Sequence, residues 1–82
     1  MINIISLITK HHHTMKNIII KLKELDILLT TEVSKREETF ENRSERWQES
    51  EKGEEYQEIT DELELFRGSV EDMIDRLEEA QG

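Results

Sequence analysis

The residues of this chain with the types and spacing to do chemistry are mostly carboxylates. Glu37-Glu38-x-x-Glu41 is followed, sixteen residues on, by Glu58-x-x-Asp61. Acidic pairs at such spacings are hard oxygen ligands, and two facing helices that carry them can share a divalent cation. The triplet His11, His12 and His13 is the other candidate. Neighbouring side chains point about 100° apart on a helix and alternate on a strand. A metal shell prefers spacings such as i, i+4, so the triplet reads as a solvated polar run. The chain has no cysteine, which removes thiol nucleophiles, disulfides and zinc ribbons. No Gly-rich phosphate loop and no G-x-S-x-G turn occurs.

The carboxylate spelling resembles the magnesium site of the all-α nucleoside-triphosphate pyrophosphatases of the MazG-like kind. The resemblance implies two antiparallel helices that aim those acids at one metal. Heptad position argues otherwise. With Phe40 and Trp47 at a, Glu37 falls at e, Glu38 at f and Glu41 at b. With Tyr56 at a, Glu58 falls at c and Asp61 at f. These positions mostly face away from the seam, toward water. Twenty of 82 residues are acidic, so the spelling arises readily by chance. The expectation is a chain that is not an enzyme and takes no metal or cofactor.

The elements that position these groups follow from apolar spacing. Tyr56, Ile59, Leu63, Phe66, Val70, Met73, Leu77 and Ala80 recur at alternating steps of three and four, which is a heptad seam. Upstream, Ile19, Val33, Phe40 and Trp47 form one row, and Met15, Leu22 and Leu29 form another that runs on into Arg36 and Arg43. Asp26 also falls on this seam. The arginines there either snorkel to water or pair with acidic residues of the facing helix and fix register. The chain lacks proline, so nothing forces a break. Lys52-Gly53 has the form of a helix C-terminus closed by a left-handed glycine. The spacing therefore predicts an all-α antiparallel helical hairpin, with a long helix over about 15–50, a turn near Gly53 and a helix over about 54–80. Its predicted core is Val33, Phe40, Trp47, Tyr56, Ile59, Leu63, Phe66, Val70, Met73 and Leu77. Residues 1–14 form an apolar extension and 15–82 the hairpin domain.

Composition bounds the function. The formal net charge is −9, with 38% charged residues and 34% apolar. Residues 1–36 carry a net charge of +3 and residues 37–82 a net charge of −12. Phosphate-backbone binding needs clustered Lys and Arg, so direct nucleic-acid binding is not expected. No apolar run approaches the ~20 residues of a membrane span. The first eight residues lack the basic start and cleavage site of a secretory signal. The expected setting is cytoplasmic.

A hairpin closed at Gly53 has unequal arms, and the longer first arm overhangs. Ile18, Ile19, Leu22, Leu25 and Leu29 then lie at or near the overhang and are the expected oligomer interface, because exposed apolar area of this kind needs a partner. A chain this short buries little of its surface alone. The expectation is a homodimer that forms a coiled-coil-like four-helix bundle.

Two further resemblances bear on purpose. The stretch from Phe40 to Gln57, with Arg43-Ser44-Glu45-Arg46-Trp47-Gln48-Glu49-Ser50-Glu51-Lys52-Gly53 at its centre, is similar to a box in small helical proteins of tailed phages and prophages. That resemblance implies a mobile-element origin and a host-cytoplasm setting. In shape the chain also resembles the secreted hairpins whose turn carries Trp and Gly. Here Trp47 and Gly53 stand further apart, and Tyr56 is followed four residues on by Thr60. The functional expectation is a binding module, an inhibitor or adaptor of a host defence protein. It would present Glu54, Glu55, Glu58, Asp61 and Glu62 to a basic protein surface. The alternative is a self-assembling scaffold.

Overall fold

The computed structural model describes residues 4–81, with side chains from Thr14 onward. His11, His12, His13 and the side chains of the 1–14 extension before Thr14 lie outside the described residues. Three helices follow in order: α1 (Ile4–Glu41), α2 (Glu45–Gln48) and α3 (Glu51–Gln81). The described residues contain no strand. α1 packs antiparallel against α3, and the single turn of α2 closes the hairpin. The result is a rod of 69 × 22 × 15 Å.

α1 is uninterrupted because no Gly or Pro stands between residues 4 and 41. Its inward row is Met15, Ile19, Leu22, Asp26, Leu29, Val33, Arg36 and Phe40, all buried or half-buried. The steps along it are four and three, as the apolar pattern requires. On α3 the inward row is Gly53, Tyr56, Thr60, Leu63, Arg67, Val70, Ile74 and Leu77. Ile19, Leu29, Val70 and Ile74 form the buried cluster, flanked by Leu22, Leu25, Leu63 and Leu77. Each buried aliphatic side chain contributes ~1.5–3 kcal/mol.

Four expectations are corrected. The first helix ends at Glu41 rather than near 50. There Asn42 N–H bonds Glu38 O at 3.0 Å and Arg43 N–H bonds Phe40 O at 3.1 Å, a tightening last turn. Gln48 Nε2 donates to Phe40 O at 2.8 Å and to Arg43 O at 3.2 Å, so a side chain satisfies carbonyls at and just beyond the helix end. Ser44 then caps α2: its backbone is extended, and its hydroxyl accepts from Trp47 N–H at 3.2 Å.

Gly53 is the second correction. It is a buried residue in the first turn of α3, and no described glycine has positive φ. What it supplies is closeness. A Cβ there would lie 2.6 Å from Gln48 O and closer still to Trp47 O. Ser50, not Gly53, marks the boundary. Its Oγ accepts from Gly53 N–H at 3.2 Å and donates to Trp47 O, which caps the start of α3. Glu51 and Glu54 follow in the first turn, where carboxylates meet the positive end of the helix dipole.

The third correction concerns the core of α3. Tyr56, Leu63, Val70 and Leu77 face α1, but Ile59, Phe66 and Met73 do not: they are 50%, 51% and 44% exposed. Their places in the seam go to Thr60, Arg67 and Ile74, one residue further on. α1 presents Arg36 at the level of Thr60, Asp26 at that of Arg67, and apolar Ile19 in the cluster with Ile74. Val33 is buried as expected, while Phe40, Trp47 and Tyr56 are half-buried.

The fourth correction concerns the overhang. Asp26 stands beside Arg67, and the rise per residue is the same on both helices, so Gln81 reaches the level of about residue 12. Ile19 and Leu29 are buried against α3, and Leu22 and Leu25 pack on the same cluster. Only Ile18 of the expected interface set is largely exposed.

Candidate functional site

The closed end of the hairpin is built from aromatic rings and arginines. Phe40 and Trp47 meet edge to face at 5.9 Å, and Trp47 and Tyr56 at 5.6 Å. Such pairs add ~0.5–1.5 kcal/mol beyond area burial. The Arg36 guanidinium lies 3.9 Å over the Tyr56 ring, and that of Arg43 lies 4.1 Å over Trp47. Arg36 Nε also donates to Thr60 Oγ1 at 2.8 Å, and Arg36 Nη2 to Tyr56 O at 2.9 Å. Arg36 therefore pairs across the hairpin, with a hydroxyl and a carbonyl rather than with a carboxylate.

A second polar layer sits midway along the rod. Arg67 Nη1 reaches Asp26 at 3.5 Å and Glu71 at 3.1 Å, and Arg67 Nη2 reaches Glu64 at 3.0 Å. The hydrogen bonds to Glu64 and then Glu71 hold the guanidinium above even its ordinary high value. Beyond it, exposed Lys23 and Glu78 pair at 2.6 Å.

Apolar spacing alone overlooks Thr60, Arg67 and Ile74. The signal that finds Thr60 and Arg67 is complementarity: Asp26 and Arg36 on the first seam require polar partners at matching levels of the second, and Ile74 follows in the same row.

The candidate metal ligands do not converge. Glu37, Glu38, Glu41, Glu58 and Asp61 are all exposed. Among the described residues no group of three or more His, Asp or Glu is placed to hold a metal ion. Asp61 accepts from Gln57 Nε2 at 3.2 Å on its own helix. No described helix is long and apolar enough to cross a membrane.

The expected partner-facing acids do share a surface. Glu54, Glu55, Glu58, Asp61 and Glu62 are all exposed on the first half of α3. Among the described residues none of the five forms an ion pair. They are held on one rigid helix, capped by Ser50 and pinned to α1 by the Arg36 bonds. This arrangement can offer a preformed negative surface.

A different face is apolar. Ile59, Phe66 and Met73 each immediately precede an inward residue of α3. Ile18 and Leu25 do the same on α1, before Ile19 and Asp26. Lys23 and Glu78 each follow an inward residue, and they are paired on one flank. In an antiparallel pair, following positions share one flank and preceding positions share the other. So Ile18, Leu25, Ile59, Phe66 and Met73 line the flank opposite the ion pair. At its α1 end an open groove of about 340 Å³ is lined by Thr14, Asn17, Ile18, Lys21, Leu22 and Leu25.

The fold and these surfaces define an all-α helical hairpin. Comparison with protein-family models, curated proteins and solved structures finds no match.

Proposed function

We propose that this chain is a non-enzymatic protein-protein interaction module that self-associates and presents an acidic helical surface to a basic surface of another protein. The observation that carries the reading is the set of exposed acids Glu54, Glu55, Glu58, Asp61 and Glu62 on one capped helix, without an ion pair among them. A rigid surface of one sign steers a partner of the opposite sign and raises its on-rate. The resemblance of residues 40–57 to a box in phage and prophage proteins supports a mobile-element setting. There the partner is a host protein, a defence component or its nucleic-acid groove, in the host cytoplasm.

Affinity capture from lysate with the native chain and with a Glu54→Lys/Glu58→Lys/Asp61→Lys variant tests this. A stoichiometric protein that is retained by the native chain and lost with the variant is the expected result. A protein held equally by both, or none at all, sinks the acidic-surface reading. The second reading is a self-assembling scaffold whose only partner is itself. It is favoured by the exposed apolar row Ile59, Phe66 and Met73.

A further inference from the structure

The molecule exposes more surface than a compact monomer of its mass, and several large apolar side chains lie on it. Among the described residues, Ile19, Leu29, Val33, Val70 and Ile74 are buried. Ile18, Ile20, Ile27, Leu28, Ile59, Leu65, Phe66 and Met73 stay exposed. The accessible surface is 6819 Å², whereas a compact monomer of 9.8 kDa exposes about 5,200 Å². A stable dimer of standard size buries about 800 Å² on each partner. The surplus is ample for that. The rod is only 15 Å thick between Cα extremes, one layer of helices where domains ordinarily have two.

We propose that a second copy of this chain covers the flank formed by Ile18, Leu25, Ile59, Phe66 and Met73, with α1 of each copy lying on α3 of the other. The proposal rests on the self-association in the reading above and names the face that performs it. The flank is the one that lacks the Lys23–Glu78 pair, so covering it leaves that cross-hairpin ion pair in water. Phe66 is its centre: it is 51% exposed, and by register it lies at the level of Leu25 and Leu28 on the opposite helix.

The surroundings of Lys35 favour one arrangement. Two hairpins can stack with like helices facing or with unlike helices facing. The first turns one hairpin end over end, which brings Lys21 of one copy to the level of Lys35 of the other when the axis passes at Phe66. The second sets Lys35 of one copy at the level of Glu55 and Glu62 of its partner. Lys35 then faces carboxylates of its partner rather than a lysine. The two-fold axis runs along the rod, and the product is a closed four-helix bundle. Glu54, Glu58 and Asp61 remain on the outside.

Light scattering on the full chain and on two single variants tests the face. The native chain should be a dimer at high micromolar concentration. Phe66→Glu should weaken the dimer at least ~30-fold, as loss of a central aromatic anchor does, with helical circular dichroism retained. Leu65→Glu, 74% exposed on the outer side of α3, should leave the dimer unchanged. If the native chain dimerises and Phe66→Glu dimerises equally well, this face is wrong and self-association stands. A monomeric native chain overturns self-association itself.

Should Phe66→Glu lose its helix, cross-linking decides. The native chain has no cysteine, so Lys35→Cys and Glu62→Cys are clean probes. With a short bismaleimide, the double variant should give a covalent dimer on a denaturing gel, and neither single variant should. Absence of that band, or a covalent dimer from Glu62→Cys alone, overturns the unlike-helix arrangement.

Discussion

Arg36 and Thr60 are joined across the hairpin by a 2.8 Å hydrogen bond, and Thr60 is the most buried polar residue described, at 2% exposure. The bond lies on the inward row of both helices, where a one-residue slip would leave the Thr60 hydroxyl without its partner across the hairpin. Thr60 Oγ1 also donates to Tyr56 O at 3.0 Å, and Arg36 Nη2 donates to the same carbonyl. The three groups thus share one network, which fixes the level at which α1 meets α3.

Arg36→Met should therefore cost ~1.5–3 kcal/mol, since it removes two charge-assisted bonds and a ring contact. Thr60→Val should cost about 1–2 kcal/mol, and the double variant less than the sum of the two. Urea unfolding at one fixed protein concentration measures all three. Strict additivity would show that the two residues do not act together.

Gly53 and Gly68 make opposite predictions under the same substitution. Both lie inside α3, where alanine ordinarily gains ~1 kcal/mol over glycine. Gly68→Ala should stabilise by about 0.5–1 kcal/mol, because nothing lies within 4 Å of the new Cβ. Gly53→Ala should destabilise by about 1–3 kcal/mol, because its Cβ meets the Trp47 and Gln48 carbonyls. Thermal melts of both variants check the contrast, and a stabilised Gly53→Ala would refute the close approach.

Ser50 and Ser44 cap successive helices. Ser44→Ala removes one acceptor at an exposed cap and should cost ~0.5–1 kcal/mol. Ser50→Ala should cost more, ~1–2 kcal/mol. Its hydroxyl serves both Gly53 N–H and Trp47 O at a part-buried site. Chemical denaturation ranks them, and an equal or reversed order would deny Ser50 its double role.

Salt should separate the two cross-hairpin ion pairs. The Lys23–Glu78 side chains are 56% and 45% exposed, those of Arg67 and Asp26 only 25% and 29%. A double-mutant cycle on the exposed pair should give ~0.2–1 kcal/mol at low salt and about zero at ~1 M, where screening acts within ~3 Å. The Arg67–Asp26 cycle should keep most of its value. Equal loss in both would mean that burial does not distinguish them.

The hairpin and half of its seam were legible from spacing. The α1 row from Met15 to Phe40 is the apolar pattern itself, and Tyr56, Leu63, Val70 and Leu77 keep their inward places. The other row of α3 is illegible to an apolar count, because it reads Gly53, Thr60, Arg67, Ile74 while the row beside it reads Ile59, Phe66, Met73. Hydrophobicity favours the second; Asp26 and Arg36 on the facing helix decide for the first. The closed end misleads for a similar reason. Lys52-Gly53 has the composition of a helix end, yet Gly53 answers a steric demand from a neighbouring turn that local sequence does not display. The apolar flank depends on the misread row, so it emerges only once the register is fixed, whereas the acids of α3 could be read from the sequence.

The aromatic trio at the closed end also sets the order in which the molecule opens. Phe40 and Tyr56 are close along the chain, whereas Ile19 and Ile74 stand at the far ends of the two arms. Once the short loop between the first pair is closed, each further pair toward Ile19 adds little loop entropy. The hairpin therefore behaves as a zipper with its teeth locked at Trp47. Backbone amides should exchange slowest beside the rings and progressively faster toward Lys23 and Glu78, as sub-global opening dictates. The chain would breathe from its free ends inward.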